Sequence, residues 1–119
     1  MLNVPTLFPD NGSYALLFEG RDQHLVRIHQ RVAGNPDEVL ASFPLRPGSA
    51  GTRRMALADL VDPTPLTGEE DREIAALHRK ARKSKADRER FAALAMRRSA
   101  AMIAEPLIAQ AKRLMSLAA

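Results

Sequence analysis

Apolar residues in the first third of the chain recur at every second position. Tyr14, Leu16 and Phe18 alternate with Ala15, Leu17 and Glu19, which predicts a strand with successive side chains on opposite faces. Val26, Ile28 and Val32 then alternate with Arg27, His29 and Arg31 across a second strand, from about Leu25 to Val32. Gly20-Arg21-Asp22-Gln23 supplies a hairpin connection between the two. Gly34-Asn35-Pro36-Asp37 is a dense turn cluster, and Val39, Ala41 and Phe43 suggest a third strand stopped by Pro44. These segments predict a three-stranded antiparallel meander with one covered face. Its other face, carrying Arg27, His29 and Arg31, is assigned to solvent.

Pro44, Pro47, Gly48, Ser49 and Gly51 mark a loop, and Arg53 to Val61 is amphipathic enough for a helix of two turns. Asp62-Pro63-Thr64-Pro65 then bars regular helix and predicts an exposed hinge. Beyond it the period changes to that of a helix. Thr67 and Glu70 have capping-box spacing, and Glu69, Glu70, Asp71 and Glu73 crowd the first turn, where the helix dipole favours anions. The helical pattern runs to about Ala104, Pro106 interrupts it, and Leu107, Ile108, Ala111, Leu114 and Met115 form a last amphipathic piece.

At 100° per residue, Ile74, Leu77, Ala81, Phe91, Ala92, Ala95, Met96, Met102 and Ile103 share one sector of the long helix. Arg79, Lys80, Arg82, Lys83, Arg90, Arg97 and Arg98 lie opposite. Lys85 and Arg88 disturb the apolar sector. The stripe resumes in phase beyond them, which favours one continuous helix, but Ser84 and Asp87 also have capping-box spacing that would start a second helix at Lys85. The fold expected is α+β: an N-terminal three-stranded antiparallel meander, then two or three helices including one long basic amphipathic helix. The 119 residues suit a single domain, with a β-rich half over 1–61, a proline-containing linker over 62–67 and a basic helical half over 68–119.

Charge sharpens this division. Residues 1–67 carry six Lys+Arg against seven Asp+Glu, a net −1, while residues 68–119 carry twelve against seven, a net +5. A basic half of this kind points to an anionic partner. Lys and Arg on successive turns can neutralise phosphates and release counterions, giving affinity without sequence preference. Five of the seven cations opposite the apolar sector are Arg, whose planar fork matches phosphate. A solvated helix face explains part of this charge, yet residues 78–90 hold seven positive and two negative side chains. No helix-turn-helix turn, zinc-finger spacing or aromatic stacking set accompanies them, so base readout has no support.

The absence of cysteine excludes disulfides and thiolate chemistry. His24 and His29, five apart, would point to opposite strand faces and cannot share a metal. There is no phosphate-binding loop, zincin motif or nucleophile elbow. A non-enzymatic protein without cofactor or metal is therefore expected. Ala100 to Leu117 contains Glu105, Pro106, Lys112 and Arg113, too polar for a membrane span, and no secretory pattern opens the chain, so the expected location is the cytoplasm.

The function expected is that of a small accessory or regulatory protein binding nucleic acid, DNA or RNA, through the helix's basic face. The alternative is an inhibitor or adaptor that docks its helices on an acidic or apolar protein surface. A helix of some 35 residues, roughly 50 Å long, has more apolar stripe than so small a sheet can cover. Ile74, Leu77, Phe91, Ala95 and Met102 are thus the candidate interface of a homodimer or partner complex.

Overall fold

A computed structural model of the chain describes residues 8–46 and 51–118. Most of the Pro47–Gly51 loop lies outside the described residues. The fold is α+β: a five-stranded antiparallel sheet followed by a shorter and a longer helix. The strands are β1 (Tyr14–Glu19), β2 (Asp22–Val32), β3 (Asn35–Ser42), β4 (Arg53–Ala56) and β5 (Leu60–Val61), and the helices are α1 (Gly68–Arg79) and α2 (Lys85–Ala118). The expected hairpins form. Two-residue turns at Gly20-Arg21 and Ala33-Gly34 join β1 to β2 and β2 to β3, each with its glycine at positive φ, the conformation that tight hairpin turns demand.

Three strands become five because Arg53–Val61 is not a helix. It runs as β4, a single 3-10 turn at Leu57–Asp59, and β5. Its apolar spacing suits either structure, and the free edges of β3 and β1 decide the matter. β4 pairs with β3, placing Met55 beside Val39, and β5 pairs with β1, placing Leu60 beside Leu17. Pro36, expected in a turn, lies in the first part of β3.

The sheet order is β4-β3-β2-β1-β5, so the two edge strands are consecutive in sequence. In a flat sheet they would stand four strand spacings apart, ~19 Å. The four residue steps from Ala56 to Leu60 reach at most ~14 Å. The sheet must therefore curl until its edges approach, and register shifts in β2 between Ile28 and Gln30 and between Arg31 and Val32 add to the bend. Each of the five strands contributes to the core inside the curl: Ala15, Val26, Ile28, Val39, Ala41, Met55 and Leu60 are all buried.

The outer face of β1 and β2 is covered in part: His29 and Arg31 are exposed as expected, but Arg27 is half-buried beside a stretch that a helix covers. Leu16 and Leu25 are buried there against Ala100, Ala104 and Ala111 of α2. Alanine at these three positions lets the helix backbone come close to the sheet. Tyr14 and Arg27, on the same face, each reach the sulfur of Met115, at 3.8 and 3.6 Å. Pro106 does not end the helix. It lies inside α2, with Ala104 before it and Leu107, Ile108 and Ala111 after it all packed on the sheet. That packing offsets a proline cost of roughly 3 kcal/mol.

Candidate nucleic-acid interface

The long basic helix expected over 68–104 is two helices. α1 ends at Arg79, residues 80–84 form a turn, and α2 starts at Lys85. Ser84 opens α2 with the capping box that its spacing with Asp87 foretold: the Asp87 amide donates to Ser84 Oγ and the Ser84 amide to Asp87 Oδ2, both at 3.1 Å. Continuing the helix would have stacked Arg79 on Lys83, a like-charged i,i+4 pair. Breaking it lets α1 fold back on α2 and bury Ile74 and Leu94, at 4% and 1% exposure. Each is worth about 1.5–3 kcal/mol of transfer free energy.

This antiparallel hairpin spends part of the basic stripe on itself. Arg97, half-buried, donates to both carboxylate oxygens of Glu70 at 2.6 and 2.9 Å, and to the carbonyls of Thr64 and Pro65 at 3.2 and 3.1 Å. It ties the linker, α1 and α2 together. The linker is accordingly not an open hinge: Pro63 is buried and Thr64 half-buried. Arg90 grips Glu73 in the same two-pronged way, at 2.7 and 3.1 Å. His78 stacks on Phe91 with ring centroids 6.0 Å apart. The acidic residues of the first turn of α1 therefore have a second task beyond helix initiation. Thr67 and Glu70 do form the expected capping box, but Glu70 and Glu73 also hold α2.

The ion pairs leave their mark on ionisation. The hydrogen bond from Arg97, aided by the Thr67 amide, lowers the Glu70 carboxyl from an ordinary 4.5 to about 2. Arg90 likewise lowers Glu73. Lys80, 2.8 Å from Asp87, lowers that carboxyl together with the Ser84 amide.

The seven candidate phosphate contacts thus separate. Arg90 and Arg97 lie in the hairpin seam, engaged with carboxylates. Arg98 lies on another side of α2, lining a groove with Asp71. Arg79, Lys80, Arg82 and Lys83 gather at the hairpin tip. There they are joined by Lys85 and Arg88, which had looked like faults in an apolar stripe. Residues 79–88 hold six cations, all exposed, and one acid, Asp87. Lys83 also donates to the Lys80 carbonyl at 3.1 Å, closing the last turn of α1. The Ser84–Asp87 spacing was the one signal in the sequence that could have revealed this tip.

No family model, curated protein or solved structure matches the chain. Among the described residues, no group of three or more His, Cys, Asp or Glu could hold a metal, and no helix is long and apolar enough to cross a membrane. A second basic cluster, not anticipated from sequence, lies on the sheet. The Arg46 and Arg53 guanidinium carbons stand 4.0 and 5.3 Å from the Phe43 ring centroid, and Arg46 shares a 3.4 Å hydrogen bond with His24. Both cations are partly occupied by the aromatic ring, which distinguishes them from the tip.

Proposed function

We propose that the protein is a small accessory or regulatory protein that binds nucleic acid through the basic tip of its helical hairpin. The observation that carries this reading is the charge of residues 79–88: six exposed cations against one acid on ten consecutive residues. The helix dipoles do not account for it, because the C-terminus of α1 and the N-terminus of α2 meet there and oppose each other.

Phosphate fits the tip better than an acidic protein surface does. A protein interface draws most of its affinity from buried apolar and aromatic anchors. The only apolar side chains between Arg79 and Arg88 are Ala81 and Ala86. Phosphate contact needs no such anchor, since counterion release supplies the affinity. Binding through the tip is electrostatic and indifferent to base sequence.

Replacing Arg79, Arg82, Lys83 and Arg88 together by Glu is expected to abolish retardation of duplex and single-stranded nucleic acid while leaving far-UV circular dichroism unchanged. Each single Arg→Ala or Lys→Ala change at the tip should lower the slope of log affinity against log salt by about one. Arg97→Lys, in the hairpin seam, should leave that slope unaltered. Absence of retardation by the native protein at low salt, with retention of an acidic protein instead, would transfer the tip to the adaptor class.

A further inference from the structure

Beyond the tip, among the described residues, an apolar groove runs along the helical half. It measures about 540 Å³ and lies between the linker and α2, with Leu66, Met102 and Ile108 among its walls. Met102 is 71% exposed, far more than a side chain serving only the fold. A second cavity, lined by Ile74, His78 and Phe91, shares Asp71 and Arg98 with the first, so the depression continues along the hairpin seam. The groove's charges are Asp71, Arg98, Glu105 and Lys112, two of each sign. Among the described residues, none of these four takes part in an ion pair within the chain. A strongly acidic or basic polypeptide would leave half of them opposed. An occupant with alternating charges would satisfy them.

Helix α2 is itself such an occupant. Arg98, Glu105 and Lys112 are seven residues apart, so they fall close to one line along the helix. Ala101 and Ile108 run along one side of that line, Met102 and Ala109 along the other. We infer that the groove is the interface of a two-fold homodimer in which α2 packs antiparallel against α2 of a second copy. The two-fold axis passes between Ala101 and Met102. In this register Arg98 faces the partner's Glu105 and Glu105 faces the partner's Arg98, as a self-complementary interface requires.

The apolar residues match in the same register. Met102, 71% exposed, faces Ala101, and half-buried Ile108 faces Ala95, so each of these large side chains meets an alanine. Phe91 faces Lys112, a cation over an aromatic ring. Other registers are worse. Centring the pair on Glu105 sets Arg98 against Lys112, like against like. Moving the axis to between Ile108 and Ala109 sets Met102 against Met115.

The dimer rests on observations independent of the phosphate-binding tip, but it has a consequence for that tip. Residue 83 lies about 18 positions from the axis, so the two basic tips stand roughly 55 Å apart at opposite ends. That is several Debye lengths at physiological salt, and the tips do not repel appreciably.

Charge reversal tests the register directly. Arg98 and Glu105 are exposed, so substitutions there leave the chain folded, which circular dichroism verifies. By sedimentation or light scattering at high micromolar concentration the native chain is expected to be a dimer. Arg98→Glu alone and Glu105→Arg alone should each weaken self-association by on the order of tenfold to a hundredfold. Mixed together, the two variants should form a one-to-one heterodimer, because all four facing charges are then opposite. The double variant should also recover dimerisation. A monomeric native chain, single variants that dimerise as well as the native protein, or a mixture that fails to associate would each overturn the inference.

Discussion

At the scale of single residues, Arg97 does most to organise the helical half. Its three nitrogens reach a carboxylate on α1 and two carbonyls of the linker, so one side chain fixes three segments. Nothing in the sequence distinguished it from the six other cations of the stripe. Position on a helical wheel says which side a side chain leaves from, not which acid folds back to meet it. The Glu70 partner gives the arrangement a pH signature. Its carboxyl is held at about 2 against an ordinary 4.5, so the folded state prefers the ionised form. The stabilisation is complete above about 4.5 and is lost as pH falls towards about 2. Glu73 and Asp87 shift in the same direction and steepen the loss. Thermal unfolding followed by circular dichroism from neutrality to about pH 2 should show the melting temperature falling across that window. Glu70→Gln should melt lower at neutral pH and show a shallower acid decline. An acid decline as steep as that of the native chain would mean that Arg97 gains nothing from the charge on Glu70.

At the scale of elements, the legible parts were those specified by local chemistry. The β1–β2 hairpin, its glycine turn and the Thr67–Glu70 capping box all stand where residue type and spacing put them. The misread parts were those settled by distant contacts. Arg53–Val61 has helix-like apolar spacing, but pairing with the open edges of β3 and β1 makes it two strands. Residues 68–104 keep a helical phase through Lys80–Ser84, yet burial of Ile74 and Leu94 in a hairpin outweighs continuity. Pro106 looked like a boundary because proline lacks an amide proton, and the sheet contacts on either side of it carry the helix through. If the hairpin is held by its apolar seam more than by its exposed ion pairs, Leu94→Ala should cost about 2–5 kcal/mol. Ser84→Ala, which removes only the α2 cap, should cost about 1 kcal/mol. Denaturant unfolding gives both values, and a larger loss for Ser84→Ala than for Leu94→Ala would reverse the assignment.

At the scale of the whole molecule, α2 decides whether sheet and helices are one body. Its first turns face α1 through Arg90, Leu94 and Arg97, and its middle turns face the sheet through Ala100, Ala104 and Ala111. A division into a β-rich and a basic helical half describes the sequence, but the core does not follow it, because Leu16 and Leu25 of the sheet share a buried cluster with those three alanines. Ala104 is fully buried, and a larger residue there has no room to expand into. The chain should therefore unfold in a single cooperative step, and it carries a convenient reporter. Tyr14, the only tyrosine, lies at the joint, half-buried with its hydroxyl 3.8 Å from the Met115 sulfur. Tyrosine fluorescence reports the sheet–helix contact while far-UV circular dichroism reports the helices. The two denaturation curves are expected to coincide, as two-state unfolding requires. Ala104→Leu should shift both together to lower denaturant, by about 1–3 kcal/mol of overpacking. A tyrosine transition that precedes the loss of helix, in either protein, would show that α2 leaves the sheet before the hairpin opens and that the molecule is two cooperative units.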